Sequence, residues 1–424
     1  MNKIFSFLVL IFSLILLIIS YYKSEFVFKG LNNSKYIIFY LFSVFFILVS
    51  LTTIIINKKY EIYLKIFIIT SIFVLYSFEV FLISQNNKIK KALNINNLEN
   101  FELNKNDNEK IVTLISPNLF LKKKQINILP LSGISKSKTI FCNENGYYSV
   151  YKSDRYGFNN EDNIWDLGKI EYLLIGDSYV HGACVNRKDN ISYNLQNISQ
   201  KPALNLGFSG NGPLINYATL REFSKKNVKN ILWFYYEGND NRNLIDELDN
   251  KILLKYFNNK SFSQNIIKNT KNVDTFLRSH LDQEHKKFKK KEKLILFMNF
   301  IKLSFIRNTY FTQNTTLPPN EFKTLIQKVK NFSMENNSVL YFIYIPERRR
   351  YLSKKYNNKN YELVKTIIKE LDLNFIDLHA QEFKKVKDMG KFYPSLHFGH
   401  FNEVGYKKIS EIIYKSINLK NKLK

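Results

Sequence analysis

Four short blocks hold the residues best suited to covalent chemistry, and each follows an apolar run that reads as a β-strand. The first is Gly176-Asp177-Ser178-Tyr179, directly after YLLI. A serine on the turn leaving a strand is exposed at the sheet edge, where its backbone N–H and its hydroxyl can face one cavity. The second is Asn205-Leu206-Gly207-Phe208-Ser209-Gly210. Glycine permits close backbone approach to a ligand, so an N–H here can donate to a reacting oxygen. The third is Glu237-Gly238-Asn239-Asp240, after ILWFYY. Its Asn239 amide is a candidate oxyanion donor, although Asn-Asp after a strand also reads as a helix N-cap. The fourth, His397-Phe398-Gly399-His400, precedes a helix-like stretch. A histidine on such a loop can reach over the same edge as general base to the serine. Taken singly, each block is also an ordinary turn.

The elements that must position these blocks follow from the apolar rhythm. Short apolar runs lie at 172–176, 203–207, 231–238, 339–346 and 374–379, and helix-like stretches lie near 190–199, 213–226, 320–336, 359–371 and 404–417. That alternation predicts a buried parallel sheet in a layered α/β domain. Ligands of such sheets gather at the carboxyl ends of the strands. The stretch 245–318 breaks the rhythm with KKFKKKEK (286–293) and LILFMNFIKLSFI (294–306). It reads as a helical insertion, packed on the domain or lying against a membrane surface.

In this order and at these strand ends, the four blocks resemble the SGNH (GDSL-like) hydrolase family over roughly 155–418. The resemblance implies a three-layer α/β/α, flavodoxin-like domain with a parallel sheet. It implies a serine esterase working through an acyl-serine intermediate, with no cofactor and no metal. Ser178 would be the nucleophile and His400 the base. The Ser178 and Gly210 N–H groups and the Asn239 side chain would hold the oxyanion. Asp177 would brace the nucleophile turn, with His397 and Asp240 as accessory residues. The family usually places an Asp three residues before the base, or sometimes two, and here those positions are His397 and Phe398. The orienting group is then a carboxylate from elsewhere, a backbone carbonyl, or absent in a Ser–His dyad. Two other functions fit the same blocks. One is an O-acyltransferase modifying polysaccharide with a membrane partner protein; the other is a non-catalytic envelope binding protein on a degenerate scaffold.

Residues 1–90 carry apolar stretches at 4–22, 36–56 and 66–84, each about the length that crosses a ~30 Å hydrocarbon core as a helix. Three transmembrane helices are expected there, with Glu79 inside the third. Residues 91–140, rich in Lys and Asn, read as a juxtamembrane linker, and 141–424 as the hydrolase-like domain. Loop charges do not support a cytoplasmic N-terminus. The segment 147–166 resembles the lead-in of a membrane-tethered bacterial branch of the family. With the odd number of spans and the cysteine pair, it favours an extracytoplasmic domain on the inner membrane. In that compartment the only two cysteines, Cys142 and Cys184, would pair. Closing a loop of about 40 residues would contribute roughly 3–4 kcal/mol; two unrelated buried thiols are the alternative. The net charge of +27 comes mostly from scattered Lys with no nucleic-acid module around them. The expected partners are the lipid bilayer and an acyl ester, possibly on a glycan, and no nucleic acid.

Overall fold

The computed structural model describes residues 3–28, 30, 33–55, 58–92, 111–123, 126–225, 227–307, 316–351, 356–394 and 399–422. The chain divides into two units, Met1–Ile89 with Lys289–Leu317, and Lys90–Phe288 with Pro318–Lys424.

The larger unit holds all eight described strands: β1 (Val112–Thr113), β2 (Lys138–Ile140), β3 (Val150–Lys152), β4 (Ile170–Ile175), β5 (Ala203–Asn205), β6 (Val228–Tyr236), β7 (Val339–Ile345) and β8 (Asn374–Asp377). The last five form one sheet in the order β5-β4-β6-β7-β8, every pair parallel. This is the flavodoxin-like order, whose direction of winding reverses between β4 and β6. Successive side chains of a strand point to opposite faces, and the core divides accordingly. Leu173, Ile175, Ile231, Trp233, Phe342 and Tyr344 join one apolar cluster, while Tyr172, Leu174, Leu232, Phe234, Tyr341 and Ile343 join another. Helices Pro213–Phe223, Asn320–Glu335 and Lys359–Glu370 cover the first face. Helices Ile191–Ser199 and Glu403–Lys422 cover the second. The expected parallel α/β domain, layered on both sheet faces, is what the structure has.

A second sheet, β1-β2-β3, corrects the linker. Where 91–140 reads as a tether, Val112, Ile115, Phe120, Leu129, Leu131 and Ile134 are buried in the first-face cluster. The one apolar run, around Ile126–Leu131, hinted at some structure in the linker, but the short strands themselves carry no strand-length apolar run. The domain therefore includes 111–140, and 93–110 lie outside the described residues.

The smaller unit contains helices Ile4–Tyr21, Asn33–Ile55 and Lys58–Ala92. Ser6, Ser13 and Ser20 are buried at seven-residue spacing, and the Thr53 hydroxyl donates to Ser6 Oγ at 3.0 Å. Small residues at one helical face let helices approach closely in lipid, where apolar burial offers little drive. Two helical segments are long and apolar enough to cross a bilayer, Ile4–Val27 (24 residues) and Lys59–Lys88 (30 residues). Two of the three expected crossings are thereby matched; the middle helix, Asn33–Ile55, carries a shorter apolar stretch among the described residues, Phe39–Ile55.

The insertion is also divided. Residues 245–288 belong to the larger unit, and the part from Lys289 to Leu317 packs with the apolar helices of the smaller one. There Glu79 turns inward. It is fully buried and accepts from the N–H groups of Phe305 and Ile306, both at 2.9 Å. Tyr76 donates to the Ile301 carbonyl at 2.9 Å.

Candidate active site

β4 ends at the point where the winding reverses, and Gly176 makes the exit. A Cβ there would come within 2.4 Å of Val180 Cγ2 and 3.0 Å of Phe234 Cβ, so only glycine lets the chain turn so tightly. Asp177 then caps the short helix Ser178–His181, accepting from Tyr179 N–H at 3.0 Å. Ser178 stands at the first position of that helix, 9% exposed.

The base arrives from the loop before the helix Glu403–Lys422. His400 Nε2 lies 2.9 Å from Ser178 Oγ. On the other side of the ring, Nδ1 lies 3.1 Å from Glu144 Oε2, and the same oxygen accepts from the His400 backbone N–H at 2.5 Å. A carboxylate only accepts, so the bond to Glu144 places the proton on Nδ1 and leaves Nε2 free to take one from the serine. Glu144 supplies the orienting acid that the residues before His400 lack. Sequence reasoning missed it; its one local signal was Cys142, two residues upstream.

The electrostatics suit this arrangement. Burial by itself pushes Glu144 up, but the charge and two hydrogen bonds of His400 outweigh it and hold the carboxyl below its ordinary value. Burial pulls His400 down, while Glu144 and Asp177 pull it up more strongly, against Arg348, and the imidazole ends above its ordinary value. Tyr179 packs its ring 4.9 Å from the His400 ring.

The glycine block lies against the nucleophile turn. A Cβ on Gly207 would sit 2.4 Å from Val180 Cβ, and Phe208 N–H donates to the Gly176 carbonyl at 3.1 Å. Ser209 N–H donates to His181 Nδ1 at 3.1 Å. His181 is stacked between Phe141 and Phe208 and bonded through Nε2 to Tyr151. Burial, with His400 nearby, pulls its pKa down to about 3, so it stays neutral and can accept. The loop brings Gly210 to φ +83°, and neither its N–H nor that of Ser178 donates to a protein acceptor among the described residues.

The asparagine block follows β6. Burial pushes Asp177 up to about 6, against the Tyr179 N–H, the His400 charge and the nearby Asn239 side chain, which pull it down. Asn239 is thereby set beside the nucleophile turn. Glu237 is tied to Arg350 Nε at 3.0 Å and to Glu347 N–H at 2.9 Å. Asp240 turns back to Tyr236 N–H at 3.0 Å, and burial, then Asp177, push its carboxyl well up. Its role is to close the strand end. His397 lies outside the described residues.

Cys142 and Cys184 are disulfide-bonded. Glu144, Cys184 and His400 offer an oxygen, a sulfur and a nitrogen within 4.8 Å of one another, a spacing suited to a metal ion. With the sulfur bonded to Cys142, that ligand set is incomplete.

The lead-in 147–166 acts as a frame. Asp154 is buried and accepts from Tyr156 and Phe158 N–H, Asn160 Nδ2 and Trp165 Nε1, at 2.8–3.0 Å. Asn160 in turn bonds Asn205 N and O, both at 2.9 Å, and Asn159 bonds the His181 carbonyl at 3.1 Å. The segment thus holds the nucleophile and glycine blocks in register.

Fold and site define an α/β protein with a serine–histidine–carboxylate chain at the winding reversal of its sheet. No protein-family model and no curated relative matches the chain. Among solved structures it is similar to one described as a lipolytic protein of the G-D-S-L family from Desulfitobacterium hafniense DCB-2. Identity is 13%, coverage is 58% of this chain and 99% of that one, and the TM-score is 0.34. It is also similar to the psychrotrophic esterase EstA from Pseudoalteromonas sp., solved with monoethylphosphonate as inhibitor. There identity is 11%, coverage 59% and 98%, and the TM-score 0.31. At such values the likeness carries no weight for function, and the chemistry has to come from the site itself.

Proposed function

We propose that this chain is a membrane-anchored serine hydrolase that cleaves carboxylic, O-acyl esters. The observation that carries this is the unbroken chain Ser178 Oγ, His400 Nε2, His400 Nδ1, Glu144 Oε2, with links of 2.9 and 3.1 Å. Ser178 Oγ attacks the ester carbonyl carbon as its proton passes to His400 Nε2. Glu144 stabilises the imidazolium so formed. The tetrahedral oxyanion is held by the N–H groups of Ser178 and Gly210 and by the Asn239 amide. Its collapse expels the alcohol, which takes the proton back from His400. Water, activated by the same histidine, then releases the acid and frees the serine.

The apolar helices support action at a membrane and the Cys142–Cys184 disulfide supports the extracytoplasmic side, with an envelope or exported glycan or lipid as the substrate class. The test is a fluorophosphonate label on the full chain in detergent: labelling is expected for wild type and lost in Ser178→Ala. Wild-type protein that takes no label would remove the hydrolase reading. Acetyl release from acetylated glycan, with and without sugar acceptors, then tells hydrolysis from acyl transfer.

A further inference from the structure

Glu144 reaches His400 from the connection between β2 and β3, strands of only three residues each. The base of this hairpin is closed by Phe141 N–H to Ser149 O at 3.0 Å and Ser149 N–H to Cys142 O at 2.9 Å. Three further ties of this hairpin run to the catalytic elements. Cys142 is bonded to Cys184, Asn145 Nδ2 donates to the Cys184 carbonyl at 2.9 Å, and Tyr147 donates to the Glu403 carboxylate. Two of these three end on Cys184, six residues beyond the nucleophile. Cys184 is fully buried and holds φ +62°, a left-handed conformation that a residue with a Cβ keeps only when its surroundings impose it.

We propose that the Cys142–Cys184 disulfide is a positioning group of the active site: it clamps the Glu144 loop onto the nucleophile turn, so the relay is complete only in the oxidised protein. The proposal rests on the esterase reading for its activity readout. Opening the clamp is ordinary exchange chemistry. One thiolate of a dithiol reductant attacks a disulfide sulfur and forms a mixed disulfide; its second thiolate then displaces that sulfur. The reductant leaves as a cyclic disulfide, and the protein gains two electrons and two protons as two thiols. Cys142 is only partly buried, which leaves a path for attack. Released from Cys184, Glu144 leaves His400 Nδ1, and the imidazole loses its orienting partner.

The experiment compares the full chain in detergent, oxidised and after dithiothreitol, with a chelator in both arms so that the freed Cys184 thiol recruits no metal. 4-Nitrophenyl acetate is the probe, mass spectrometry counts free thiols, and the same measurements are made on Glu144→Gln and on Cys142→Ser/Cys184→Ser. Reduction is expected to lower wild-type kcat by about 10²-fold or more, below the ~10⁴ cost of a wrongly oriented triad histidine, with KM nearly unchanged. The double serine variant should match reduced wild type. Glu144→Gln should start low and respond little to reduction. A second readout needs no catalysis: the His400 imidazole pKa, followed by NMR. That ring is faced by Glu144 and Asp177, which raise it, and by Arg348, which lowers it, with neutral His181 close by. Reduction should bring it down. Fully reduced wild type with unchanged kcat overturns the proposal, as does an equal loss in Glu144→Gln, which would mean a general loss of structure. If no form hydrolyses the ester or takes a fluorophosphonate, the esterase reading falls, and a His400 pKa unmoved by reduction separately removes the clamp.

Discussion

Ser178 and His400 lie 222 positions apart in the chain, and each was legible because its neighbours are local: a glycine-bounded turn after an apolar strand, a loop before an amphipathic helix. Glu144 was not, because its partner His400 is 256 positions away and its one local mark, Cys142, says nothing of a carboxylate. Asp177 and Asp240 look alike in the sequence, yet one braces the nucleophile turn and the other turns back to Tyr236. The residue-scale expectation is that Glu144→Gln keeps the fold and lowers kcat by about 10²–10⁴, the loss known for a triad acid exchanged for its amide. Its pH profile adds an independent sign. The base works only when neutral, so activity rises with pH through the His400 pKa. Glu144 favours the protonated ring and keeps that limb high; its own carboxyl, held below the ordinary value, stays ionised across the window. In Glu144→Gln the limb in kcat/KM should therefore move to lower pH, and a limb that stays in place would count against the contact.

The same division holds for elements. β4, β6 and β7 are six to nine mostly apolar residues long and could be read directly; β1, β2 and β3 are two or three residues long and could not. Their stability comes from the side chains that cover them, so no intrinsic pattern was there to find. One buried side chain links two catalytic-edge elements. Glu247, at the end of the helix Asp240–Glu247, accepts from Gly212, Leu214 and Ile215 N–H at 2.6, 2.8 and 3.4 Å, capping the helix Pro213–Phe223 from outside. Glu247→Ala leaves these buried donors without an acceptor, which costs about 2–4 kcal/mol. Because Gly212 follows the glycine loop directly, kcat should fall along with the unfolding midpoint in a thermal or urea melt. A variant that melts early but keeps full kcat would limit Glu247 to stability.

For the whole molecule, a parallel sheet buried on both faces followed from the spacing of the runs and its flavodoxin-like order from the family resemblance, whereas the edge of the domain followed from neither. A fragment starting at 141 leaves out Val112, Ile115, Phe120, Leu129, Leu131 and Ile134, all packed in the main core. Burying each large aliphatic or aromatic side chain contributes about 1.5–3 kcal/mol, so the joint absence of the six is comparable to the whole ~5–15 kcal/mol by which a domain is usually stable. Fragments starting at 141 are expected to be insoluble or molten, and those starting at 111 to be folded, by circular dichroism and cooperative melting. Equal folding of the two would show that residues 111–140 are dispensable.

The distance along the chain between the acid and the base sets an order of events during synthesis. Glu144, Ser178 and both cysteines are made long before His400, 216 positions after Cys184 in the numbering. The covalent loop can close while the serine hydroxyl still has no base. A nascent chain therefore carries the serine before its base, since the loop that delivers the histidine directly precedes Glu403–Lys422, the last described helix in chain order. On the proposed function, ester cleavage would belong to the domain with its histidine in place and to no shorter product.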